Sequence, residues 1–274
     1  MRAKLLLPIV ATALLCLAAC DFEDFGGFDR YRQDFHYSYP LKSGGRLSDE
    51  TFNGPVEVSG WDQETVDISG STSGPTQQAA DALKIAIDNS PDSVSIRATR
   101  PSDHRGNLGA RFVIKIPRAA YVDRIFTSNG SIRVEDGSGP ARLRTSNGEI
   151  RVQGLRGALE AETSNGSIHA SLAQAPPGRP VRLETSNSSI ELSLPANFAN
   201  EIRANTSNGG ITLHMPYQVN ARVMARTSNS SISSDFEIGM RGEFSRNRLE
   251  GVIGNGGPLI DLSTSIGSIR LLKM

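Results

Sequence analysis

Chemistry in this chain is offered by repetition. The octet T-S-N-G-S-I-R-V at Thr127 returns from Thr145, Thr163, Thr185, Thr206 and Thr227 and, as T-S-I-G-S-I-R-L, from Thr264. So many hydroxyls invite the idea of nucleophilic catalysis. A catalytic serine, however, needs one positioned base rather than a set of equivalent neighbours, and no G-x-S-x-G turn is present. The histidines His36, His104, His169 and His214 stand far apart, with no H-E-x-x-H or EF-hand pattern, and the Asp of calcium-binding β-helix repeats is missing. His169 falls in the outward column that holds Arg133, Arg151, Glu191 and Arg270 in other copies, and reads as a surface side chain. The sequence therefore predicts no catalytic residue, no metal and no cofactor. A second outward column, Arg124, Arg142, Glu160, Arg182, Arg203, Met224 and Asp261, contains a candidate binding stripe, Arg142, Arg182 and Arg203, suited to acidic glycans or phosphate. A solvated, charge-mixed face is the simpler account of the same residues.

The elements that position these groups follow from the spacing. Successive Thr are 18, 18, 22, 21, 21 and 37 residues apart, the last interval reading as one period with an insertion. Five residues after each Thr stands isoleucine (Ile132, Ile150, Ile168, Ile190, Ile211, Ile232, Ile269), and two before it an apolar residue such as Leu143 or Leu183. Period-two alternation marks two short strands per unit, each with one buried face. A unit this small cannot bury that face alone, so units must stack. The fold class is accordingly all-β: a single-chain β-solenoid with coils of about 18–22 residues and an atypical N-terminal β segment. By the same alternation, Thr127, Asn129, Thr145, Asn147, Thr163, Asn165, Thr185, Asn187, Thr206, Asn208, Thr227, Asn229 and Thr264 form a structural ladder, with the Asn pointing inward or into the corner. Coils about 4.8 Å apart let one amide bond the next. Asn-Gly is also a hairpin signal, so an antiparallel meander competes. Ser188 and Ser230 in place of Gly, and identical residues at one point of every unit, favour stacking. A distant eighth copy, T-F-N-G-P-V-E-V, begins at Thr51.

Residues 1–19 read as a signal peptide: Arg2 and Lys4, then an apolar run from Leu5 too short to span a bilayer comfortably. Leu17, Ala18, Ala19 and Cys20 resemble the lipobox of bacterial lipoproteins, which makes Cys20 the lipidation site and the mature N-terminus. Residues 20–33 would be the lipidated tether. The implied place is the bacterial cell envelope, exported from the cytoplasm and held on a membrane through the lipid. With Cys16 removed and Cys20 lipidated, no thiol remains for a disulfide. Removing residues 1–19 takes two of 29 basic residues and none of 29 acidic ones, leaving a formal charge of −2. That balance argues against nucleic acid as a partner.

The domain then spans 34–274, with an atypical first part, 34–118, and regular repeats over 119–274. Phe35, Tyr37 and Tyr39 alternate as a first strand covering the end of the stack. Val56 to Ile68 reads strand, turn, strand, and Pro75 to Ala82 gives helical turns capped by Thr76. Two alternating runs around Ile85 and Ile96 form a strand pair. Between the sixth and seventh copies, Asp235 to Ser263 carries Arg241, Arg246 and Arg248 and reads as a closing cap with a solvated basic face.

The combination of a lipoprotein signal, V-x-V-x-G-W-D (Val56 to Asp62), V-x-I-P-R (Val113 to Arg118 with its lead-in), repeated T-S-N-G-S-I units and Gly-Asn-Gly-Gly-Pro before the last of them resembles the bacterial "putative adhesin" family of β-strand-repeat domains of unknown function. The resemblance covers about residues 34 to 274. It implies an all-β solenoid at the cell envelope. The function read from the whole sequence is a non-enzymatic envelope protein presenting a binding surface, with polysaccharide or an envelope protein as partner. A structural scaffold or regulatory partner of a membrane protein is the alternative, and a carbohydrate-active β-helix enzyme a more distant one. Departures from the pattern are Ile266 in place of Asn and Ser188 and Ser230 in place of Gly; the first puts the ladder's continuity in question at the C-terminal end.

Overall fold

A computed structural model describes residues 31–101, 106–176, 178–240 and 245–274. The signal peptide, Cys20 and the tether up to residue 30 lie outside the described residues, as does Arg241.

The described residues form two facing sheets of 11 and 12 strands, mostly parallel, with one short helix. The regular part alternates between them. β8 (Tyr121–Phe126), β10 (Ala141–Arg144), β12 (Leu159–Thr163), β14 (Val181–Thr185) and β16 (Ile202–Thr206) lie side by side in one sheet. β9 (Ile132–Glu135), β11 (Ile150–Arg156), β13 (Ile168–Gln174), β15 (Ile190–Ser193) and β17 (Ile211–Met215) do so in the other. Register keeps like with like: Ile132 pairs with Ile150, Ile150 with Ile168, Ile168 with Ile190 and Ile190 with Ile211. These five isoleucines are at most 1% exposed. Each burial stabilises the stack by about 1.5–3 kcal/mol, and a one-residue slip would turn the whole column to solvent. Parallel stacking, not the meander, is the fold.

The N-terminal part supplies β1 (Tyr31–Pro40), β2 (Arg46–Glu50), β3 (Val56–Trp61), β4 (Thr65–Gly74), α1 (Gln77–Asp81), β5 (Lys84–Ser90), β6 (Ser93–Thr99) and β7 (Gly109–Pro117). The distant eighth copy is a true coil: β2 pairs in parallel with β8, and β3 with β9. Thr76 caps α1, accepting from the Ala79 amide at 3.2 Å. β1 begins at Tyr31, three residues ahead of the boundary read from sequence, and is the edge strand of its sheet, antiparallel to β4. Phe35 packs 5.4 Å from Phe112 between ring centroids, so β1 does cover that end of the core.

Two departures from the expected order occur, one at each end. In the chain the β2–β3 coil precedes the β6–β7 coil, yet in space it lies between β6–β7 and β8–β9. At the other end come β18 (Ala221–Thr227) and β19 (Ile232–Ser234), then β20 (Ile238–Met240) and β21 (Arg248–Ile253), and finally β22 (Leu259–Thr264) and β23 (Ile269–Lys273). The final coil inserts between its predecessors: β22 pairs with both β16 and β18, and β23 with both β17 and β19. The reading of the last interval as an ordinary period with an insertion is thereby corrected. The sixth copy does not stack on the fifth; it leaves a slot that the seventh fills. The intervening residues form a β20–β21 hairpin zipped antiparallel onto the free edge of β18, the closing cap that the sequence predicted. Covering that edge satisfies backbone groups that would otherwise template aggregation. The Gly-Asn-Gly-Gly-Pro segment makes the return possible. Gly254 and Gly256 have φ of 59° and 78°, and the Asn255 amide donates to Asn220 Oδ1 at 2.8 Å.

Candidate functional site

Two polar ladders run the length of the stack, and they divide the labour differently from the sequence expectation. Threonine is the inward member. Thr127, Thr145, Thr163, Thr185, Thr206, Thr227 and Thr264 are buried, and each hydroxyl donates to a turn carbonyl of the neighbouring coil. Thr145 reaches Gly130 O at 2.9 Å, Thr163 reaches Gly148 O at 3.0 Å, and Thr264 reaches Gly209 O at 2.7 Å. These bonds follow the spatial order, since Thr227 donates to Gly267 rather than to a residue of the fifth copy.

Asparagine is the corner member, and the inward half of the expectation is corrected: Asn129, Asn147, Asn165, Asn187, Asn208 and Asn229 are all exposed. The turn carries the Asn side chain out of the strand alternation, while the amide-to-amide ladder stands. Asn147 donates to Asn129, Asn165 to Asn147, Asn187 to Asn165 and Asn208 to Asn187, at 2.7–2.8 Å. Ile266, 56% exposed, then interrupts it, and Asn229 turns to the Ser265 carbonyl. These groups hold the coils in register and are spent on each other.

The outward arginines are brought into one column, but not as an uninterrupted stripe. Glu160 stands between Arg142 and Arg182, whereas Arg182 and Arg203 are direct neighbours. Insertion of the final coil places Asp261 beside Arg203. Arg142 Nε lies 3.6 Å from Glu160 and Arg203 Nε 3.7 Å from Asp261. Pairs this exposed contribute little to stability, but they take up charge that a ligand would need. On the opposite sheet, Glu191 is held by two histidines, His169 Nδ1 at 3.1 Å and His214 Nε2 at 3.0 Å. Desolvation pushes the Glu191 carboxyl up, and the hydrogen bonds from His169 and His214 outweigh it, so it titrates below its ordinary value. Among the described residues no group of three or more His, Cys, Asp or Glu is placed to hold a metal.

The concave feature of this surface lies at the corner opposite the asparagines, where each coil passes to the next. Turn lengths differ there, and the mismatch opens a cleft of about 570 Å³ lined by Arg46, Tyr121, Asp123, Arg142, Arg156 and Arg179, among others. Its overhang is the loop after β13, in which Pro176 and Pro180 restrict the backbone. Asn200, 2% exposed, pins that loop by donating to the carbonyls of Pro176 and Arg179, the latter at 2.8 Å. Of the three arginines expected from sequence, only Arg142 lines this cleft; Arg182 lines a shallower continuation, and Arg203 lines neither. Sequence reasoning missed Arg46, Tyr121, Arg156, Arg179 and Asn200. The available signal was the step from an 18- to a 22-residue interval after Thr163, where Pro176 to Pro180 falls.

One buried group belongs to neither ladder. Asp49, in the inward column between Ile96 and Ile125, is 1% exposed with both carboxylate oxygens unpartnered. Burial, with a smaller contribution from Glu50, holds its pKa well above the ordinary carboxylate range. The nearby Thr51 hydroxyl also has no partner.

No family profile matches the sequence, and no curated protein does. By structure the chain is similar to a putative cell adhesion protein from Clostridium sporogenes ATCC 15579, with 10% identity over 88% of this chain and 100% of that one, at a TM-score of 0.43. A putative adhesin from Bacteroides fragilis NCTC 9343 gives 12% identity over 88% and 97%, TM-score 0.42. One from Parabacteroides merdae ATCC 43184 gives 9% over 88% and 96%, TM-score 0.39. The structural neighbours are thus bacterial proteins described as putative adhesins. Likenesses this distant carry no residue roles across.

Proposed function

We propose that this protein is a non-catalytic binding module of the bacterial cell envelope, exported and held on a membrane by lipid at Cys20, which presents its outer surface to polysaccharide or to another envelope protein. The observation that carries this reading is the basic cleft: exposed arginines from three coils converge on one concavity whose overhang is fixed by a buried asparagine. A preformed concave site with few, placed polar groups is what recognition needs. Catalysis of glycan cleavage would need carboxylates facing one another across a substrate. Among the described residues Asp123 is the single carboxylate lining the cleft, and the outward Glu135, Glu149, Glu160, Glu162 and Asp261 each sit in an ion pair with an arginine. The scaffold reading draws on the short leash: β1 starts 11 residues after Cys20, so the tether spans at most about 40 Å and keeps the stack close to the membrane.

The test is a glycan array together with an envelope pull-down, using the chain with Cys20→Ser and a companion that also carries Arg142→Ser, Arg182→Ser and Arg203→Ser. Saturable binding without turnover of the ligand supports a binding module, and its loss in the companion maps the site to the outer basic column. Turnover of a bound glycan, or absence of any saturable ligand, removes the proposal, the second outcome in favour of a scaffold.

A further inference from the structure

The cleft at the coil-to-coil corner has a chemistry narrower than "basic". Its arginines come from three coils: Arg46 from β2, Arg142 and Arg156 from the start and end of the β10–β11 coil, and Arg179 from the pinned loop. Among the described residues, only Arg142 of these four has an ion-pair partner. The cleft runs on past Arg156 and Pro176 into a second hollow of about 470 Å³. With coils about 4.8 Å apart, the combined trough extends about 20 Å along the stack. Arginine's planar fork matches a carboxylate in bidentate fashion, which a surface of lysines would not do.

Among the described residues the one aromatic residue lining the cleft is Tyr121, 39% exposed. It lies against Gly139, where an added Cβ would come within 2.7 Å of the ring. A glycine there lets the ring settle onto the turn instead of being pushed off it. A fixed, half-open tyrosine offers an apolar surface with a polar tip, the combination that takes the C–H face of a pyranose while leaving its hydroxyls wet. One ring platform beside several unpaired guanidiniums fits a polymer that carries a carboxylate on each sugar.

We infer that the trough formed by Arg46, Tyr121, Arg142, Arg156 and Arg179 binds a uronic-acid polysaccharide, with Tyr121 as the stacking platform and Arg46, Arg156 and Arg179 as carboxylate clamps. This rests on the binding-module reading and specifies its ligand. Nucleic acid fits less well, because one exposed ring gives no succession of stacking platforms for bases.

The experiment is titration calorimetry of the full chain carrying Cys20→Ser in mild detergent, against oligogalacturonates of graded length, neutral glucan oligomers, heparin oligosaccharides and single-stranded DNA. Expected are saturable binding of oligogalacturonate with affinity rising over the first few rings and then levelling, and at least a tenfold loss in Arg156→Gln/Arg179→Gln and in Tyr121→Ser. Tyr121→Phe and Arg270→Gln, the latter on the opposite sheet, retain binding. Thermal melts of each variant establish that the stack is intact. Oligogalacturonate binding that the cleft variants leave unchanged overturns the assignment, as does equal binding of heparin and DNA, which would mark bare polyanion attraction. Saturable binding of a neutral glucan alone overturns this inference and leaves the module reading standing. Binding of nothing in either this titration or the array and pull-down removes both.

Discussion

The middle of the stack and its ends use the same local motif and reach different topologies. From Thr127 to Thr206, neighbours in sequence are neighbours in space, and each coil hands its Thr hydroxyl and Asn amide to the one before. At each end, two coils exchange places and an antiparallel pairing covers the outside. The difference shows that the octet specifies how a coil docks but not which coil it docks on. Thr264 satisfies the same geometry with Gly209 that Thr206 satisfies with Ser188, although 55 residues separate the first pair and 18 the second. Partner choice must come from connection length and from what remains open when the segment arrives.

The largest test of that comparison is a pair of deletions. A chain ending at Pro258 loses the burial of Ile260, Leu262, Ile269 and Leu271 and opens the slot beside β16 and β18, at a cost on the order of 10 kcal/mol, comparable to a whole domain's stability. No cooperative thermal transition is expected. Excising residues 145–162, one 18-residue period, instead brings the Thr127 and Thr163 coils together in register. A shorter stack with a cooperative melt should result, and failure of that protein to fold would mean that the middle coils are not interchangeable.

Asp49 sharpens the comparison through pH. Its folded-state pKa is raised, so the unfolded chain gives up the proton first, and stability falls as pH climbs from the ordinary carboxylate range toward the folded value. Asp49→Leu, which restores the apolar column of the middle coils, should be more stable than wild type by about 1–3 kcal/mol at pH 7. The gap should narrow at pH 4; melting curves at the two pH values that shift in parallel would contradict the assignment.

The threonines offer a smaller contrast. Thr163→Val leaves Gly148 O without its donor and should cost about 1–2 kcal/mol, whereas Thr51→Val removes a hydroxyl that has no partner and should be neutral or stabilising. Chemical denaturation of both variants decides whether the inward ladder is energetic or only geometric. The smallest effect is expected from Ile266→Asn, which would bridge Asn208 to Asn229 and remove an exposed apolar side chain. A gain of about 0.5–1 kcal/mol should appear as a rise in melting temperature.

What could be read from the sequence followed from what is local. Period-two alternation fixed the strands, and the fixed Thr-to-Ile spacing fixed the register. Even the motifs that carry the family resemblance prove to be one local device. V-x-V-x-G-W-D and V-x-I-P-R are β3 and β7 paired in parallel, Trp61 opposite Pro117, with Arg118 bonded to Asp62 at 2.7 Å. The coil exchanges were hidden because every copy carries the same docking surface, so nothing in Ile211 tells it to meet Ile269 rather than Ile232. The corner orientation of the asparagines was hidden because alternation counted along a strand does not continue through a turn. The cleft was hidden because it arises from unequal turn lengths rather than from any motif. Asp49 was legible, standing two residues before Thr51 where the other copies place an apolar residue.

The inserted final coil also bears on the order of assembly. If the chain is exported N-terminus first, the sixth copy arrives before its seat exists, because the strands it must lie against, β22 and β23, follow it in the sequence. Until they arrive it can lie only against β16 and β17 of the fifth copy, whose docking surface is the same, or stay unpaired, joined to the stack by the loop at Pro216 to Asn220. Closure therefore requires the chain through Lys273. A molecule cut short before β22 keeps two raw parallel edges, those of β16 and β18, which another strand could template on. The topology works as a receipt for a completed polypeptide.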